Sequence, residues 1–266
     1  MPEIVISDIT LMWPGYCIIG LEPDDQGSFR SVRPMPWRRY AWLDPFTFNR
    51  GDWVRCPLAP ASPRAPHFED RQSGRLQQTG RALNEVDLIR RLETAEVASS
   101  LEGLFGCPVE SDKPKGNFWI DPSKGSRAIC GCPYNNIRFR VFQDPKGVRL
   151  RAELVLPSDE RLWTLPVVDR EWNRFLMQVV KHFAEDQITF GSRTVRFLND
   201  QVSRKLRQSP NRFARIGLAR AKEGKCWLML DSLFPQPTAD WLDANKPPQS
   251  KSSYGWKGPV KETGGP

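Results

Sequence analysis

Histidine is nearly missing from this chain: 266 residues contain two, His67 and His182. A hydrolytic centre needs a nucleophile–base pair or converging carboxylates, and imidazole is the usual base at neutral pH. The six cysteines (17, 56, 107, 130, 132 and 226) form no zinc pattern. Cys130-Gly131-Cys132 has a single spacer where a zinc knuckle uses a longer one and a second pair. Neither G-x-x-x-x-G-K-S/T nor G-x-G-x-x-G occurs, which removes the two common glycine-rich phosphate cradles. No apolar run approaches the roughly 18 residues of a membrane span. The N-terminus M-P-E-I-V-I-S-D carries acids where a signal peptide carries base. The expectation is a cytoplasmic protein with reduced, buried thiols, no membrane partner, no bound metal and no cofactor.

What is abundant points elsewhere. The chain has 24 Pro and 19 Gly, which suit short strands and turns better than long helices, and 10 Trp. The net charge is +8 with pI ≈ 9.3. That balance favours anionic partners without deciding the fold.

The most informative stretch is Ile137–Leu156, which alternates with a period of two on both sides of a turn, as a half-buried β-hairpin does. Pro145 and Gly147 supply the turn chemistry. Pairing Val141 with Val148 sets Phe139 against Leu150 and Ile137 against Ala152. On the outer face it sets Arg140 opposite Arg149 and Arg138 opposite Arg151, with Phe142 beside them. Like charges facing across strands cost up to about 1 kcal/mol a pair. Four arginines stacked there point to an anionic ligand; a solvated face relieved by Glu153 is the alternative.

Ahead of the hairpin, Ile4–Met12, Tyr16–Leu21, Phe29–Val32 and Asp52–Leu58 read as strands, with 64–81 as polar loop. Residues 1–82 thus form a small all-β unit. Asn84 caps a helix with Val86, Leu88, Ile89 and Leu92 as its apolar stripe, and Thr94 caps a second, so 83–108 is a helical connector. Residues 109–234 form a second β unit with a helical insertion: Asp169 caps Glu171–Ala184, and Val195–Leu206 is another amphipathic run. A closing hairpin joins Ala214–Ala219 to Cys226–Phe234. From Pro235 to Pro266 the composition becomes Pro, Gly, Ser and Lys with scattered aromatics. This predicts a disordered tail whose deletion after Pro237 leaves folding unchanged.

Several short motifs follow one another in an order that resembles the bacterial dual OB-containing domain proteins. They are Y-C-I-I-G-L and F-R-S-V-R-P near the start, with Arg30 at the family's arginine, and His67-Phe68-Glu69-Asp70, where Phe68 replaces a proline. L-P-V-V-D-R-E-W at 165–172, I-G-L-A-R at 216–220 and Gly224-Lys225-Cys226-Trp227 complete the series. The resemblance spans Ile4 to Phe234. It implies a mainly β (α+β) fold with two OB-like β-barrels in tandem joined by helices. It also implies a role in binding nucleic acid or nucleotides, often near bacterial defence genes, and brings no established reaction. OB barrels bind through strands two and three and flanking loops.

The resulting expectation is a non-catalytic binder of single-stranded nucleic acid or an oligonucleotide. Arg138, Arg140, Arg149 and Arg151 pair with phosphates, joined by Arg30, Arg33 and Arg38, and Phe142, Trp37 and Trp42 stack bases. Two other classes stand beside it. One is a protein-interaction adaptor using the C-terminal tail; the other is a metal-dependent hydrolase centred on His67, Glu69 and Asp70. The blander reading of that trio is a structural hydrogen-bond clasp.

Overall fold

The structure, a computed structural model, describes residues 1–12, 15–36, 47–59, 64–95, 97–112, 116–144 and 147–243. Among the described residues three sheets carry the fold, and none is closed into a barrel. The first contains β1 (Glu3–Met12), β2 (Gly15–Pro23), β3 (Phe29–Pro36), β4 (Asp52–Arg55), β5 (Asp70–Ser73) and β6 (Gln77–Ala82), in the order β5-β3-β2-β1-β4-β6. The polar segment expected to be loop therefore contributes two edge strands. Their low hydrophobicity hides them, because β6 is mostly exposed and buries almost nothing.

β1 shows how the sequence is used. Its register slips between Ile6 and Asp8, a bulge that flips the side-chain alternation. Ile4, Ile6 and Ile9 consequently fill one core with Ile18, Val32, Val54 and Leu76. Val5 faces the other side, where Leu88, Ile89 and Leu92 of α1 (Glu85–Thr94) pack with Phe213 and Phe234. Asn84 caps α1 by accepting the Asp87 amide at 2.9 Å. The next helix, α2 (Leu101–Phe105), is capped by Ser100 rather than by Thr94.

The second half contains β7 (Glu110–Asp112), β8 (Asn117–Ile120), β9 (Ile129–Pro133), β13 (Phe213–Leu218) and β14 (Cys226–Phe234), ordered β7-β8-β14-β13-β9. Beside it lies the meander β10 (Asn136–Asp144), β11 (Gly147–Leu156) and β12 (Asp159–Pro166). Helix α3 (Arg170–Phe183), capped by Asp169, buries Trp172, Phe175, Leu176 and Val179 in this core. The Trp172 indole N–H donates to the Leu233 carbonyl at 2.9 Å. Cys130 and Cys132 are buried thiols within β9.

The tail does not begin at Pro235. The Gln236 amide donates to Glu85 at 2.7 Å, and the short helix Asp240–Asp243 brings Trp241 edge-on to Trp172 and Phe175, each with centroids 6.1 Å away. Trp241 is 9% exposed, so the chain as far as Asp243 belongs to the fold. Residues 244–266 lie outside the described residues.

Where the first sheet meets β13 and β14, charge is buried. Arg215, fully enclosed, donates to Asp8 (3.4 Å) and Ser31 (2.9 Å). Asp169 is paired with Arg50 and accepts the Leu233 amide at 3.1 Å. Asp231 lies over Gly217, where any Cβ would overlap its carboxylate. Burial, then the neighbouring Asp8, pushes Asp231 up to about 8 from an ordinary 3.8. Between those values the folded protein holds a proton that the unfolded chain has released, so stability falls as pH rises.

His67 acts in the opposite sense. Burial, then Arg33 and Arg220, lowers it from 6.5 to about 4, so stability rises over that interval. The two effects oppose one another up to pH 6.5 and leave a net decline from there to pH 8, of up to about 2 kcal/mol. Melting temperatures at pH 6.5, 7.2 and 8.0 are expected to fall in the parent and to stay level in Asp231→Asn; a level parent contradicts the assignment.

Candidate nucleic-acid interface

The hairpin pairs two residues out of the expected register. Asp144 opposes Gly147, so Val141 lies against Leu150, Phe139 against Ala152 and Ile137 against Leu154. A slip of two keeps every side chain on its face, so alternation alone cannot set it; the tighter turn does. The charge pattern changes as a result. Arg138 opposes Glu153, Arg140 opposes Arg151 and Phe142 opposes Arg149. One facing arginine pair remains where two were expected, and Glu153, 5% exposed, is ion-paired with Arg140.

β10 is an edge strand, and its free edge is covered from the far side of the sequence. Helix α4 (Arg193–Phe197) runs into a π-helical turn, Leu198–Val202, and then α5 (Ser203–Gln208). The Ser203 amide and hydroxyl both donate to the Leu198 carbonyl, the hydroxyl at 3.0 Å, which fixes the wide turn. Asn199 then sits against β10: its Oδ1 accepts the Phe139 amide at 2.8 Å and its Nδ2 donates to the Phe139 carbonyl at 2.9 Å. Single π turns of this kind often occur at functional sites.

Between hairpin and helices runs a groove of about 990 Å³. Arg138, Arg140, Phe142 and Arg151 form its strand wall; Phe190, Val195, Asn199, Asp200 and Arg207 form the other. Arg138 is exposed and has no ion pair with a described residue. Arg151 donates to Asn117 Oδ1 at 2.6 Å and stands 6.0 Å over the Phe142 ring. Burial, then the charge of Arg140, lowers the Arg151 pKa. Phe142 is 39% exposed and Phe190 wholly so. Two open aromatic rings among four guanidinium groups present the chemistry that phosphates and unstacked bases require.

The remaining expected site residues fall elsewhere. Arg149 does not line the groove. Arg30, paired with Glu22 at 2.8 Å, lines a separate cleft with Arg71, Arg127 and Phe68. Arg33 is 6% exposed and holds Asp70 (2.5 Å) and His67 Nδ1 (2.8 Å), so it is not a surface contact. Trp37, Arg38 and Trp42 lie outside the described residues.

The His67-Glu69-Asp70 trio ties the two halves of the chain together. Asp70 lies between Arg33 and Arg220, each at 2.5 Å, and Glu69 Oε1 accepts the amides of Ala128 (2.8 Å) and Ile129 (3.3 Å). With its acids so engaged, the arrangement is a clasp. Among the described residues no group of three or more His, Cys, Asp and Glu side chains is placed to hold a metal ion, and no helix is long and apolar enough to cross a membrane.

Sequence reasoning missed Phe190, Asn199, Asp200 and Arg207. Phe190, a lone aromatic in the loop T-F-G-S, carried a readable signal; the other three are ordinary polar positions on an amphipathic run. Compared with known protein families and with curated proteins, the chain matches none.

Proposed function

We propose that this protein is a non-catalytic binder of single-stranded nucleic acid that lays one strand in the groove between the β10–β11 hairpin and the α4–α5 segment. The observation that carries the reading is the groove's composition: Arg138, Arg140, Arg151 and Arg207 beside the open rings of Phe142 and Phe190. Guanidinium groups neutralise phosphates, and the rings stack bases without regard to sequence. The OB-like part of the reading draws support from the first sheet. There β3 and β5 run parallel, and the Leu58–Ser73 bridge, with the Ala59 amide on the Gln72 carbonyl, links the continuation of β4 to β5.

Fluorescence anisotropy with labelled single-stranded 12-mers at low salt tests the reading. Micromolar binding is expected, and the double substitution Arg138→Glu and Arg207→Glu is expected to weaken it at least about tenfold, because two phosphate contacts become repulsions. Absence of binding to any oligonucleotide would overturn the reading.

A further inference from the structure

Asp200 is an exposed carboxylate on the helical wall of a basic groove, and it makes no ion pair with any described residue. Arg196 and Arg204 stand four residues to either side, yet neither reaches it. A bare carboxylate there repels the phosphates that the surrounding arginines attract, so as part of a purely electrostatic track it is counterproductive.

Its position suggests another use. Asp200 also lines a second recess, of about 330 Å³, with Phe183, Arg193, Arg196, Phe197 and Gln201. Asp200, on the π-helical turn, therefore borders both cavities. Arg193 and Arg196 are exposed, while Glu185 spends its oxygens on the amides of Arg193 (2.8 Å) and Thr194 (3.2 Å). Phe183 and Phe197 meet edge-on at 5.7 Å and form the apolar side of the recess.

We propose that this recess is a base-reading subsite at the end of the groove, in which Asp200 accepts hydrogen bonds from the Watson–Crick edge of a guanine. The inference rests on the single-strand reading above. Guanine offers N1–H and the 2-amino group side by side, which both oxygens of one carboxylate can accept together. Cytosine and adenine offer one amino group each. Uracil and thymine set their single N–H between two carbonyls, which face a carboxylate unfavourably. Arg193 and Arg196 take the flanking phosphates.

Anisotropy titrations of the full chain compare an all-thymidine octamer with the same octamer carrying one central guanine. The guanine is expected to tighten binding about tenfold, the scale of one good bidentate base contact. Hypoxanthine in its place, lacking the 2-amino group, is expected to gain less. In Asp200→Asn the guanine-to-thymine ratio falls toward one. Equal affinity of the parent for both octamers would overturn the subsite and leave the groove reading standing. An equal loss for both octamers in Asp200→Asn would assign Asp200 a structural role and likewise overturn it. No binding to either octamer would remove both readings.

Discussion

Ending the chain at Pro237 is expected to lower the melting temperature by about 10 °C. The truncation removes Trp241, which is buried against Trp172 and Phe175 and has the Lys205 ammonium 5.6 Å from its ring centroid. Emptying a large aromatic site costs about 3–5 kcal/mol, and in a chain of this size each kcal/mol moves the midpoint by roughly 2–4 °C. Trp241→Ala in the full chain is expected to reproduce most of the loss, while a chain ending at Asp243 retains the contact. Scanning fluorimetry on the three proteins decides the matter. Unchanged melting after truncation at Pro237 would show that Trp241 contributes little, and would return the segment to the mobile tail its composition suggests.

Replacing Arg215 by Met is expected to cost about 3–5 kcal/mol, because Asp8 would then lie buried beside a second carboxyl group, Asp231, without its counter-charge. Adding Asp8→Asn is expected to restore at least half of that loss, since the penalty comes from the orphaned charge rather than from missing volume. Urea unfolding of the two single variants and the double variant measures the coupling. Additive losses would mean that Asp8 and Arg215 do not depend on one another.

What could be read from the sequence follows from how local each signal is. Asn84 and Asp169 were legible as caps because a cap is a one-turn device: each side chain accepts an amide two or three residues ahead. The hairpin was legible as a hairpin, but its register was not, since alternation is unchanged by a two-residue slip and only turn geometry separates the options. The bulge in β1 left only a faint mark, the two adjacent polar residues Ser7 and Asp8, which unbroken alternation would send to opposite faces. Trp241 sits in a Pro-rich segment, and nothing nearby in sequence indicates that its partners lie on α3. The candidate site divides in the same way. The strand wall of the groove could be found from the arginines at 138, 140 and 151. The opposite wall depends on a π turn some 60 residues later that presents Asn199 to the β10 edge. Arg33 misleads because a basic residue just past the Phe29–Val32 strand, ahead of a Trp- and Arg-rich loop, reads as surface, while its partners Asp70 and His67 lie 37 and 34 residues away.

The most direct test of the central claim is the salt dependence of single-strand binding. If two to four phosphates are neutralised in the groove, the log–log slope of affinity against salt is expected to lie between about −1.5 and −3. In the Arg138→Glu, Arg207→Glu variant it should be shallower by about 1.4, the share of two phosphate contacts. Binding whose slope is the same in parent and variant would place the nucleic acid elsewhere on the molecule and contradict the account.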